Sequence, residues 1–267
     1  MGIVVEKLVG LTRTVCRQAR CVGPVGSGCV TGQKRSPAAF FALACILAIG
    51  VSTLAYSPAR AADCSNLPSS GVDWRDCSKR SILIPGSELQ GADLFSTDFT
   101  MTDLSNSNLA AANLEKATLV RASLAGAKAE KANFARIEAY RSNFAGISAD
   151  GASFAAAELQ RADFSGARLT GGNFEKAELG RANFDKAVLT GARFTLANLS
   201  RADLSSATFE GPLVFDRAFM FLTRIEGLDL SAATGLEQKQ VDLACGNAET
   251  KLPAGLSAPD SWPCASD

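Results

Sequence analysis

The sequence predicts an all-β solenoid, and two columns of residues carry the prediction. Every fifth residue from Trp74 to Val214 gives 29 positions, of which 25 are Leu, Phe, Ile, Val or Trp; only Lys79, Ala129, Ala139 and Ala149 depart. Two places before them runs a second column, nearly always Ala, Ser, Thr or Gly, from Ala112, Ala117 and Ala122 onward to Ala207. A period of five suits neither regular element. On an α-helix, five residues advance the azimuth by about 140°, which scatters the large column over all sides. On a strand, each repeat flips it to the opposite face. A chain that turns about once every five residues sends every large side chain to one axis, which is a solenoid.

The first element is a leader, expected over 1–61. Residues 1 to 35 carry Lys7, Arg13, Arg17, Arg20, Lys34 and Arg35 against the single acid Glu6, and an uncharged apolar stretch follows over 38–56. Ala59-Arg60-Ala61 then places small residues where a signal peptidase needs them, so cleavage after Ala61 and export to the periplasm or beyond are expected. The 19 apolar residues are also long enough to cross a bilayer, and an inner-membrane anchor is the competing reading. Contact with a membrane is expected only through this leader, if it stays uncleaved.

The whole chain has 27 basic and 27 acidic residues. Seven and one of them lie before residue 62, leaving a mildly acidic body with 20 and 26. That balance argues against a nucleic-acid binder held by bulk positive charge. Four of the eight cysteines remain in the body: Cys64, Cys77, Cys245 and Cys264. In an oxidising compartment they read as disulfides, with Cys64 to Cys77 and Cys245 to Cys264 expected because each would close a short loop at one end. Free thiols or a four-thiolate zinc site are the alternatives.

The strings Ala112-Asn113-Leu114-Glu115-Lys116, Ala162-Asp163-Phe164-Ser165-Gly166 and Ala202-Asp203-Leu204-Ser205-Ser206 resemble the pentapeptide repeat family over about residues 72 to 217. The resemblance implies a right-handed quadrilateral β-helix with four pentapeptides per coil, hence about seven coils. The expected organisation is a cap loop over 62–71, the β-helix over 72–219, and a C-terminal cap over 220–267 containing a short helix from Leu236 to Cys245 with Thr234 as its N-cap.

Four faces require a period of twenty, and the sequence has one. Phe134, Phe154, Phe174 and Phe194 share a face; Phe144, Phe164 and Phe184 lie ten residues away, on the opposite one. Where the faces between them shrink to Ala139 and Ala149, the small column swells to Ile137 and Ile147, which returns the lost volume.

The outward positions keep the same period. Arg121, Arg141, Arg161, Arg181 and Arg201 form one column; Glu138, Glu158 and Glu178 form another on the same face, with Tyr140 as its lone aromatic. Glycines hold the equivalent corners elsewhere. Two readings stand side by side. Either the Arg and Glu columns neutralise each other on the surface, contributing little per pair, or five guanidiniums form a comb for a polyanion or an acidic protein.

With no histidine, Ser-His-Asp and Cys-His nucleophile systems and His-ligated metal sites are excluded. Asp98, Asp103 and Asp163 recur because the repeat recurs, and no carboxylate pair stands out. The expected function is a non-catalytic exported scaffold, without cofactor or metal, binding an unknown protein or polyanionic partner through the Arg/Glu face. The resemblance also implies an alternative, a DNA-mimicking, gyrase-interacting protein, against which the leader and the mixed-charge face both count. Self-pairing into a homodimer is left open by the resemblance.

Overall fold

Each corner of the chain is closed by one hydrogen bond. The N–H of a small inward residue donates to the carbonyl of the large residue three earlier, as from Ala112 to Leu109 and from Ala122 to Leu119, both 2.9 Å. The residue just before the small one is left-handed at nearly every corner, with φ of 56° at Ala111 and 67° at Gly126. These are β-turns whose third residue takes the conformation that glycine adopts most readily. Outward Asp and Asn side chains brace the same turns: Asp98, Asn133 and Asp163 accept from the N–H two residues on, at 2.9 to 3.1 Å.

Four such corners bring the chain back over itself. The structure, a computed structural model, describes residues 62–264; the apolar stretch 38–56 and the cleavage residues Ala59 and Ala61 lie outside the described residues. In the body, parallel bridges join every fifth residue to the one twenty later as far as Thr208, and one column climbs from Asp73 through Asp93, Asn113, Asn133, Ser153, Asn173, Arg193 and Val214 to Thr234. The fold is therefore a four-sided β-solenoid. The N–H groups of Leu114, Leu124 and Phe134 donate across to the next coil at 2.7 to 2.8 Å, so the inward positions are fixed by the backbone ladder itself.

Both inward columns are sealed. Phe134, Phe144, Phe154, Phe164, Phe174, Phe184 and Phe194 are all 0% exposed, as are Ile137, Ile147, Ala139 and Ala149. Phe144, Phe164 and Phe184 stack with centroids 4.8 and 5.2 Å apart, and each ring meets the opposite ladder edge-on at 5.6 to 6.1 Å. Both contacts are preferred aromatic geometries.

The spiral differs from expectation at its far end. Seven coils ending at Phe219 were expected, but Asp73 to Thr234 spans eight intervals, and Arg224 and Asp229 still pair with Cys245 and Lys251. One extra residue enters between Thr208 and Val214, where the bridge interval lengthens from Val188–Thr208 to Arg193–Val214. Every later residue moves one place along the repeat. Phe215, Met220, Ile225 and Leu230 become the inward column, each 0% exposed, while Val214 turns outward and Phe219 is 50% exposed.

The caps follow from side chains near each end. Over 62–71, the Trp74 indole donates to the Asn66 carbonyl at 3.2 Å. Lys79, which departs from the large column, lays its ammonium 3.8 Å from the Trp74 ring centre and donates to the Cys64 carbonyl at 2.8 Å; burial lowers its pKa from the usual lysine value. The sulfurs of Cys64 and Cys77 lie 1.95 Å apart. At the other end the helix is one turn, Gln238–Val241, and its N-cap is Glu237 in a capping box with Gln240. Thr234, the expected cap, instead pairs with Val214 in the ladder. Buried Gln240 donates to the carbonyls of Phe215 and Ala218 at 2.8 and 3.0 Å, satisfying the last coil's edge. Trp262 covers Gly246 so closely that a Cβ there would lie 2.4 Å from the ring, and Cys264 sits 2.09 Å from Cys245, sulfur to sulfur.

Phe164→Ala should cost about 3 to 5 kcal/mol, because it removes buried contacts on both ring faces and leaves a cavity; chemical denaturation measures it, and a loss below about 1 kcal/mol would place Phe164 outside the core. A second expectation concerns acid. Hydrogen bonds from Ser231 and Lys251 hold Asp229 down at about 2 in the folded state, against 3.8 ordinarily. A group with a depressed folded pKa contributes stability above its unfolded pKa and loses it as pH falls through the folded one. Asp229→Asn should therefore flatten the fall in stability between pH 3.8 and about 2, read from acid unfolding curves of the two proteins.

Candidate functional site

The four corners of the coil differ in what they do with charge. On three of them, cations find acids: at one, Arg136 reaches Glu115 at 2.8 Å and Arg193 reaches Glu175 at 3.6 Å; at a second, Arg168 pairs with Asp150; at a third, Lys186 reaches Asp185 at 3.6 Å; and mid-face Arg224 reaches its bridge partner Asp203 at 3.1 Å. The fourth corner carries Arg121, Arg141, Arg161, Arg181 and Arg201, all exposed, and none of these five forms an ion pair among the described residues. Glu138 and Glu158 are also exposed and unpaired with any cation, and Glu178 accepts only from the Asn198 amide, at 2.8 Å. The two columns lie side by side with no ion pair between them among the described residues.

The ladder sets their spacing. The guanidinium-bearing residues follow one another by backbone bonds, Arg141 N–H to Gln160 O at 3.1 Å and Arg161 N–H to Gly180 O at 2.9 Å, so they repeat at about 5 Å and span about 20 Å. Glu138, Glu158 and Glu178 are direct bridge partners. Stacking like charges on adjacent strands is destabilising. The backbone adds to the cost: all five arginines are left-handed, with φ from 56° to 60°, where a residue with a Cβ is disfavoured by about 1 kcal/mol. Gly126, Gly146 and Gly166 occupy the next corner in the same conformation, with φ of 64° to 67°. The arginines hold a place that glycine fills elsewhere at less strain.

Tyr140 stands 38% exposed, with the Arg141 guanidinium 5.2 Å from its ring centre. The same face carries apolar residues that sequence reasoning missed. Phe219 and Phe221 are 50% and 41% exposed, their rings near parallel with centroids 6.4 Å apart, and Leu243 beside them is 39% exposed. Phe219 pairs with Asn198 in the Glu column, and the Arg201 N–H donates to the Phe221 carbonyl at 2.8 Å. Phe219 thus prolongs the Glu column by one coil, and Phe221 prolongs the column between the charges that holds Tyr140, Gln160, Gly180 and Ser200. The signal was present as Phe215, Met220, Ile225 and Leu230, spaced by five in a new phase that leaves Phe219 outward.

The described residues hold no group of three or more His, Cys, Asp or Glu placed to bind a metal ion, and no helix among them is long and apolar enough to cross a membrane. Asp98, Asp103 and Asp163 all serve turns: Asp103, for instance, accepts from the Ser105 hydroxyl at 2.6 Å and its N–H at 2.9 Å.

Comparison with known proteins matches this sequence to a family. The pentapeptide repeats profile matches eight copies, over residues 84–110, 102–137, 140–175 and 173–211. Among solved structures, the chain is similar to HetL, a pentapeptide repeat protein involved in heterocyst differentiation regulation in the cyanobacterium Nostoc, with 24% identity over 69% of this chain and 91% of HetL and a TM-score of 0.44. It is also similar to QnrB1, a plasmid-mediated fluoroquinolone resistance protein, with 20% identity over 66% of this chain and 92% of that one and a TM-score of 0.36. A pentapeptide repeat protein of the Arabidopsis thaliana thylakoid lumen shares 26% identity over 36% of this chain and 66% of its own, with a TM-score of 0.35. No curated protein matches the chain.

The Ser105 hydroxyl, then its N–H, hold the Asp103 carboxyl below the ordinary 3.8. A general acid needs a raised value. Carbon-detected NMR titration should find Asp103 below 3.8; a value above it would reopen a catalytic role.

Proposed function

Because the chain belongs to the pentapeptide repeat family, we propose that it is a non-catalytic, exported scaffold that engages a protein partner in the cell envelope through the Arg/Glu corner. One observation carries the reading. Five arginines occupy strained left-handed corner positions, stacked on like charges and unpaired within the chain. Stacked like charges cost the folded chain stability, and an incoming surface that neutralises them offsets that cost.

Export is supported by the basic and apolar leader, the Ala59-Arg60-Ala61 site, and four body cysteines that fall as two close pairs at the ends. A DNA-mimicking surface fits less well, since it needs unbroken acidic columns and this corner interrupts them with cations.

A photocrosslinking residue placed at Arg161 in cells tests the reading. A discrete adduct is expected, and it should weaken at least about tenfold when Arg141→Glu and Arg181→Glu are added. An adduct indifferent to those changes, or none at all, would remove the corner from the function.

A further inference from the structure

The charged corner has a pattern that selects its own counterpart. Taken coil by coil, the mid-face column reads Thr118, Glu138, Glu158, Glu178, Asn198, Phe219, and the corner column reads Arg121, Arg141, Arg161, Arg181, Arg201, Leu222. The six rows therefore pair hydroxyl with base once, acid with base three times, amide with base once, and aromatic with aliphatic at the end. Within one chain the charged members of a row do not meet. A uniformly negative polymer laid on the arginines would run beside the Glu column and be repelled by it. The surface that fits has an acidic column opposite the arginines, a basic column opposite the glutamates, and an apolar end at the same level.

We infer that this surface is a second copy of the chain, lying parallel and side by side, related by a two-fold axis that runs along the solenoid. The inference rests on the charged-corner reading above and names its occupant. A two-fold parallel to the columns exchanges them while keeping every residue at its own level. Arg141, Arg161 and Arg181 then face the partner's Glu138, the partner's Glu158 and the partner's Glu178, and the reciprocal set doubles the number. Arg201 meets the partner's Asn198, and Phe219 meets the partner's Leu222. The two-fold at right angles to the columns would instead lay arginine on arginine.

Between the columns run Tyr140, Gln160, Gly180, Ser200 and Phe221, so the corners approach most closely at Gly180 and Ser200, with Tyr140 and Gln160 beside the axis on one side and Phe221 on the other. Phe219, Phe221 and Leu243 lose their exposure at the end of the same contact. The strip is about 25 Å long, which sets the interface at the small end of specific association. Self-association is accordingly weak and salt-sensitive.

Sedimentation velocity on protein isolated from cells expressing the full chain tests this from about 1 to 100 µM. A dimer is expected at low salt, dissociating as salt is raised. The Arg141→Glu, Arg161→Glu, Arg181→Glu variant and the Glu138→Arg, Glu158→Arg, Glu178→Arg variant should each self-associate at least about 100-fold more weakly. Mixed in equal amounts, the two should form a heterodimer, since each then presents one sign to the other. Phe219→Ser with Phe221→Ser should weaken the dimer about tenfold while leaving its salt dependence intact. Wild type that stays monomeric throughout, dimers that persist in both charge variants, or variants that fail to pair on mixing each overturn the inference. A monomeric wild type that still gives a discrete, charge-dependent adduct at Arg161 would reject self-pairing alone and leave the corner's role standing.

Discussion

The rest of this structure depends on the parallel backbone ladder that joins each residue to the one twenty ahead. Once Asp73 is bonded to the level of Asp93, and Asp93 to that of Asn113, the chain has no freedom over which side chains stack. Whatever occupies a position in one coil lies at about strand spacing above its counterpart in the next. Inside, this produces phenylalanine columns whose rings stack within a column and meet edge-on across it. Outside, it produces rows of asparagine, glycine, glutamate and arginine. Core and surface are two consequences of one register.

That register also governs the surface charge. An isolated exposed arginine can swing toward any nearby acid, and such pairs contribute little. In a solenoid the alternatives are limited, because the neighbours above and below a side chain are set by the repeat. At three corners the chain places opposite charges within reach of each other, as with Glu115 and Arg136 or Asp150 and Arg168. At the fourth it repeats one charge five times. The difference between these corners is the physical ground for assigning a role to one of them.

Much of this was legible in the sequence. The five-residue column, the small column beside it, the opposed phenylalanine ladders and the Ile137 and Ile147 compensation all follow from periodicity, because packing in a solenoid is local and repetitive. The end pairing of the cysteines could be anticipated from their positions on either side of the repeats. What could not be read is instructive. Lys79 looks like a fault in the core column, yet its ammonium rests on Trp74 and closes the first coil; only the folded cap supplies those partners. The state of the Arg and Glu columns depends on lateral reach between side chains, which periodicity does not specify. Val214 was counted into the large column, and the β-helix was ended at Phe219, because a fixed frame was carried past the point where the chain changes phase.

That change of phase shows how such a surface could be rewritten. A single extra residue near Pro212 turned an interior position outward and exposed Phe219 above Asn198, at the end of the column that carries Glu138, Glu158 and Glu178. Length changes in this architecture behave like reading frames. Adding twenty residues lengthens every stripe by one tooth and preserves the design; adding five rotates the stripes to a neighbouring side; adding one swaps inside for outside until a later edit restores the beat. Insertion size is thus an evolutionary control over surface identity, separate from the choice of amino acids.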